Sequence, residues 1–157
     1  MTGWRLGYGI MRKDLAVHIA RIETNAESCT NTFVQYAGID ALKGPQKDSE
    51  KMIAEFKKRR DLIVDLLNDI KGFKCLKPKG AFYVFPNVTV AVKNLGLKSS
   101  RDLQDFILDK ANVAVLDRTF FGSRNEEENE EYIRLSYVTS NDNIKEGLGR
   151  IKRAIEG

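Results

Sequence analysis

Two arginines are the residues of this sequence best suited to do chemistry. Arg134 stands in "EYIRLSYVTS", where strand alternation puts Ile133, Leu135 and Tyr137 on one face and Arg134 on the other, with Tyr132 and Ser136. A planar guanidinium fixed on a strand presents paired N–H donors that match a carboxylate, a geometry that lysine lacks. The plainer alternative is an ion pair with an acid of the adjoining loop "GSRNEEENEE", and spacing alone favours it. Arg5 stands in "MTGWRLGYGI", where Trp4, Leu6, Tyr8 and Ile10 alternate with Gly3, Arg5, Gly7 and Gly9. The glycines leave the arginine face nearly bare, which suits the approach of a phosphate or of other backbone. A pairing with a nearby acid again remains open.

Other chemistries find little support. The single histidine, His18, falls in a helical pattern beside Arg21 and reads as a solvated helix residue. There is no GxSxG, no GxxxxGK[ST] and no metal-ligand spacing. Cys29 and Cys75 lie far apart without a CxxC or a histidine partner, and read as two reduced, largely structural thiols. The run "KKRR" (57–60) lies between Glu55 and Asp61 on an amphipathic pattern and reads as a solvated helix face, despite a net charge of +4. "KGAFYVF" (79–85) is similar to the aromatic strand of RNA-recognition domains, but four apolar residues run consecutively where that motif needs alternation. Core packing with burial on both faces is the expected meaning.

The elements that must position these residues follow from periodicity. Residues 3–10 alternate as a strand, and 12–43 read as helices broken by "ETNAESCTNT". Gly44 and Pro45 close one helix, and Asp48 or Ser49 can cap the next, whose stripe Met52, Ile53, Phe56, Ile63, Leu66, Leu67 and Ile70 runs to Gly72. "FKCL" and "GAFYVFPNV" around "KPKG" read as a hairpin. Ser99 caps a helix bearing Leu103, Phe106 and Ile107; "NVAVL" and "YIRLSYV" are strands; Ser140 or Asn141 caps a last helix bearing Ile144, Leu148, Ile151 and Ile155. From about residue 48 the order is helix, two strands, helix, two strands, helix, which predicts a two-layer α/β domain. At 157 residues one core is the default, and the absence of an apolar run of membrane length or of a secretory signal leads to an expected cytoplasmic location.

Several of these pieces resemble one family in its own order. "MTGWRLGYGI" resembles the second half of the cofactor-attachment signature of class I and II aminotransferases, fold-type I enzymes that use pyridoxal phosphate. "FVQYAGIDAL" resembles the helix after that signature, "KGAFYVFPNV" the glycine-led strand of the small domain, and "VAVLDRTFFG" the valine-rich strand before a Pro-Gly turn and Phe-Gly. "YIRLSYVTSNDNIKEGLGRI", the most specific piece, resembles the C-terminal strand and helix. The likeness covers essentially the whole sequence and is nearest to the aspartate and aromatic aminotransferase branch.

The resemblance implies that Arg5 contacts the cofactor phosphate and that Arg134 clamps the substrate α-carboxylate. It implies residues 1–43 as the tail of a large cofactor domain and 44–157 as an α+β small domain that opens with a long helix. It also places the cofactor lysine four residues before Met1, and leaves out the family's upstream aspartate and ring-stacking aromatic. The expectation is a C-terminal part of an aminotransferase acting on α-amino and 2-oxo acids, inactive by itself and associating as a homodimer. The alternative is a non-catalytic association module built from the same small domain. Asp117 and Arg118 depart from the Pro-Gly pattern, and the acidic loop is longer than usual.

Overall fold

The computed structural model describes residues 2–125 and 127–157; Met1 and, in the acidic loop, Glu126 lie outside the described residues. The chain divides into two compact units, Met1–Ser49 and Glu50–Gly157.

In the first unit a short 3₁₀ turn, Thr2–Trp4, leads through an irregular segment to α1 (Lys13–Ala26) and α2 (Thr32–Lys43). Asn31 caps α2 by accepting the Phe33 N–H at 3.1 Å. Trp4 packs edge-on against Phe33 with ring centroids 5.9 Å apart. Leu6 lies over Gly38, where an added Cβ would come within 2.4 Å of the Leu6 Cδ2, so a side chain there would require Leu6 to move. The strand expected over residues 3–10 is not formed. Strand backbone needs a neighbour to satisfy its N–H and C=O groups, and among the described residues none pairs with this segment. Arg5 adopts a left-handed φ of 53° instead, which breaks the alternation.

The long helix α3 spans Lys47–Asn68; its early apolar residues Met52 and Ile53 are exposed, whereas Ile63, Val64 and Leu67 are buried. It ends in a turn in which Gly72 takes φ +86° against Ala91, and a Cβ there would meet the Ala91 nitrogen at 2.7 Å. Asn68 then brackets the next segment, donating to the Cys75 carbonyl at 3.1 Å and accepting its N–H at 2.8 Å.

The second unit has an antiparallel sheet of β1 (Tyr83–Val84), β3 (Ile133–Ser136) and β2 (Leu116–Asp117), in that spatial order. Tyr83 pairs with Ser136, Val84 with Leu135, Leu116 with Arg134 and Asp117 with Ile133. Three further helices follow in chain order: α4 (Thr89–Asn94), α5 (Ser100–Ala111) and α6 (Asn141–Glu156). Ser99 and Ser140 cap α5 and α6 through the N–H groups of Asp102 and Asn143, as their sequence positions lead one to expect. One face of the sheet joins these helices in a continuous core that includes Leu67, Val84, Leu103, Ile107, Ile133, Leu135, Tyr137, Leu148 and Ile151. The result is the two-layer α+β arrangement.

Further local expectations need correction, beginning with the start of α3, which at Lys47 takes Asp48 and Ser49 into its first turn instead of leaving one as the preceding cap. The hairpin reduces to one antiparallel bridge, Lys74 with Asn87, because β1 takes β3 as its partner. "NVAVL" pairs only at its end, since Asn112 turns left-handed to cap α5 and just Leu116 and Asp117 reach β3. "KGAFYVF" is not buried on both faces: Val84 is 1% exposed, but Phe82, Tyr83 and Phe85 are 36%, 37% and 41% exposed. With helices on one face only, Tyr83 and Phe85, opposite Val84, stay at the surface, and Phe82 precedes β1. Among the described residues no helix is long and apolar enough to cross a membrane.

Candidate functional site

Arg134 lies on the sheet face that turns away from the core. Its neighbours Ile133 and Leu135 are buried, and Arg134 itself is half-buried. The central guanidinium carbon sits 4.3 Å from the Tyr83 ring centre and 4.4 Å from that of Phe121. Tyr83 comes from β1, and Phe121 from a 3₁₀ turn, Arg118–Phe121, that follows β2. Phe85 meets Phe121 edge-on at 5.8 Å and stacks on Tyr132 at 5.3 Å, so an aromatic row runs beside the arginine. Tyr83, Ala114, Val115, Leu116, Arg134 and Ser136 line a concavity of about 150 Å³ there.

The pairing of Arg134 with the acidic loop does not occur among the described residues. Glu128 takes Arg118 at 3.0 Å, Glu131 takes Arg124, and Glu130 accepts the Tyr132 hydroxyl. Among the described residues no carboxylate lies within 4.0 Å of the Arg134 nitrogens, and none accepts a hydrogen bond from them. Ring contact stabilises the cation without using its N–H groups, so those donors stay available to an anion. Sequence reasoning missed Tyr83 and Phe121 as partners of Arg134. The signal was the pairing of two alternations: Tyr83 opposite Val84 in β1, and Arg134 opposite Leu135 in β3.

The departure at 117–118 and the acidic loop work together. Asp117 is fully buried; its Oδ1 accepts the Thr119 N–H at 2.7 Å and so caps the turn that carries Phe121, while its own N–H donates to Gln104 at 2.9 Å. Arg118, 8% exposed, is the arginine that Glu128 of the loop neutralises. Glu131, at the far end of the loop, is buried and accepts the Ser100 N–H at 2.7 Å at the start of α5. Burial pushes its carboxyl up, but Arg124 and Ser100 outweigh that and hold it below its ordinary range.

Arg5 lines a separate concavity of about 270 Å³ in the first unit, with Trp4, Glu23, Glu27, Ser28, Cys29, Thr30 and Asn31. Gly3 and Gly7 have open space where a side chain would stand. Cys29 is exposed in this concavity and so is not a structural thiol; Cys75 is buried, as expected. His18 is exposed on α1, and no cluster of potential metal ligands occurs among the described residues. The "KKRR" helix face carries ion pairs, Arg59 with Glu55 at 3.1 Å and Arg60 with Asp61 at 2.9 Å.

Comparison with known proteins finds relatives that cover nearly the whole chain. The chain is 38% identical over 158 residues to a probable aspartate/prephenate aminotransferase of Aquifex aeolicus, covering 99% of this chain and 38% of that protein. It is 36% identical over 156 residues to an aspartate aminotransferase of Bacillus subtilis, again covering 99% of this chain and 38% of the relative. The crystal structure of the Rhizobium meliloti aspartate aminotransferase superposes with a TM-score of 0.79 at 35% identity, covering 99% of this chain and 39% of that one. An aromatic aminotransferase from Pyrococcus horikoshii gives 0.79 at 34% identity, covering 99% and 40%. The chain thus spans 38% of the length of these first two relatives. The family model described as aminotransferase class I and II matches residues 1–151, and the chain belongs to that family.

Proposed function

We propose that this chain is the C-terminal portion of a cytoplasmic, pyridoxal-phosphate-dependent aminotransferase that moves an amino group between an α-amino acid and a 2-oxo acid. Arg134 is the clamp for the substrate α-carboxylate. The observation that supports this most is a guanidinium fixed on a strand, packed by two rings, whose N–H groups are given to no described residue. A carboxylate received there in the guanidinium plane is held at two points, and the attached Cα is oriented for reaction. In this reading residues 1–43 end the large cofactor domain and 44–157 form the small domain.

When bound, pyridoxal phosphate supplies an electron sink for charge that develops at Cα. The residues around Arg5 fit only its phosphate end. The Arg5 guanidinium and the Ser28 and Thr30 hydroxyls suit a phosphate, but Glu23 and Glu27 face the same concavity and no lysine lines it. The residues of this chain therefore do not fit the whole cofactor, and Arg5 is assigned a phosphate contact within the larger protein. The 157 residues alone are expected neither to hold the cofactor stably nor to transaminate. Incubating the chain with pyridoxal phosphate, an α-amino acid and a 2-oxo acid tests this. Turnover, together with borohydride fixation of the cofactor on one lysine, would overturn the inactivity; pyruvate binding that is indifferent to Arg134→Met would overturn the clamp.

A second reading, an association module, draws on the first unit. Tyr8, Ile10, Phe33, Tyr36 and Leu42 are 64% to 91% exposed there, more apolar surface than a short segment ordinarily leaves to solvent. In either reading the same residues favour chain-to-chain contact as a homodimer, which sedimentation measures directly.

A further inference from the structure

We infer that Tyr83 and Phe121 are positioning residues for the carboxylate clamp, setting the plane in which Arg134 receives its anion. The inference rests on the assignment of Arg134 as the clamp. An arginine on the exposed face of a strand has a long, rotamer-rich side chain, and each free rotor must be fixed when a ligand binds. Here the fixing is done beforehand. Two rings lie 4.3 Å and 4.4 Å from the guanidinium carbon, and they come from elements distant in sequence, β1 and the turn after β2. A carboxylate binds at the N–H edge, in the guanidinium plane, so rings against the central carbon and an anion at the edge are compatible.

Both rings are themselves held. Tyr83 is in register with Ser136, the strand position that shares the face of Arg134. Phe121 is braced by Phe85, which in turn stacks on Tyr132. The turn that carries Phe121 is capped by the buried Asp117 and ends at Gly122, whose φ of +120° a side chain would strain. The residues that depart from the family's Pro-Gly pattern therefore support the ring, and the ring orients the arginine.

The test uses the whole chain and pyruvate, the smallest 2-oxo acid, at constant ionic strength. NMR follows the β3 amides and the Arg134 Nε–Hε signal. Ring contact displaces that signal from its random-coil position in the unmodified protein; an undisplaced signal would overturn the inference without any mutation. Pyruvate is expected to shift the β3 amides saturably, and Arg134→Met to abolish this. If Arg134→Met binds normally, the clamp assignment fails. If Arg134 is needed, Tyr83→Leu and Phe121→Leu should each weaken binding about fivefold. Tyr83→Phe and Phe121→Tyr, which keep the rings, should stay within about twofold. Folded leucine variants that bind pyruvate as tightly as the parent would overturn the positioning role while leaving the clamp intact. Tyr83 is 37% and Phe121 45% exposed, so neither substitution opens the core.

Discussion

Glu131→Gln isolates a buried charge that ties the acidic loop to the core of the second unit. Glu131 is 6% exposed and accepts the Ser100 N–H at 2.7 Å, and its other oxygen meets Arg124. Its backbone is fixed as well, by the Thr89 hydroxyl and by the Val88 N–H on its carbonyl. Glutamine keeps the shape and one acceptor but loses the charge. A hydrogen bond to a charged partner is worth about 1.5–3 kcal/mol, and a negative charge at a helix N-terminus about 0.3–1 kcal/mol. Arg124 is 40% exposed, so its share is small and overlaps the first figure. The expected loss is about 2 kcal/mol, or roughly 10 °C in melting temperature for a domain near 100 residues. Urea titrations of parent and variant measure it. A difference below about 0.5 kcal/mol would show that the contact with α5 contributes nothing net. The pH dependence gives a second reading. The folded carboxyl lies below its ordinary value, so its stabilisation is full above the unfolded value of about 4.3 and is lost as pH falls through the folded one. The gap between parent and Glu131→Gln should therefore close on acidification, and a gap that widens would contradict the assignment.

Two further outcomes concern Cys75 and Gly72. Burial pushes the Cys75 thiol up to about 11, whereas Cys29 is exposed, so a thiol reagent near neutral pH should modify one cysteine quickly in the folded chain and both in urea. Fast modification of both under native conditions would show that the Cys75 segment opens. Gly72→Ala forces a side chain at φ +86° against the Ala91 backbone at 2.7 and 2.9 Å, and should cost about 1–3 kcal/mol in a chemical melt. A neutral effect would mean that the turn after α3 rearranges cheaply.

The helices were the legible part of the fold because a cap and a 3.6-residue stripe are local properties. Ser99 and Ser140 do at α5 and α6 what their positions suggest, and the stripes of Leu103 with Ile107 and of Ile144, Leu148 and Ile151 all point into one core. The strands were harder, since pairing is decided by partners far along the chain. β1 bonds β3 across more than fifty residues instead of closing a hairpin with its neighbour. The segment around Arg5 shows the same dependence. Its alternation describes which faces a strand would have, but a strand exists only with something to pair with. The short helix α4 went unseen because its six residues carry no periodic signal of their own.

The candidate site divides along the same line. That Arg134 faces away from the core was readable from β3 alone, because Ile133 and Leu135 must be buried and alternation does the rest. What it touches was not readable. The loop beside it carries acids enough to satisfy an arginine, and only the structure shows Glu128, Glu130 and Glu131 committed to Arg118, Tyr132 and Arg124. Those commitments have a consequence for the site. Glu128 and Glu131 are spent on holding Arg118 and the start of α5, and the Arg134 guanidinium keeps rings on its carbon and its donors at the edge. Replacing the Pro-Gly pattern by Asp117 and Arg118 fits into this arrangement. A buried aspartate caps the turn of Phe121, and a buried arginine needs a partner, which the lengthened acidic loop supplies. The two departures from the family pattern are thus physically coupled through Arg118 and Glu128, and among the described residues no carboxylate pairs with Arg134.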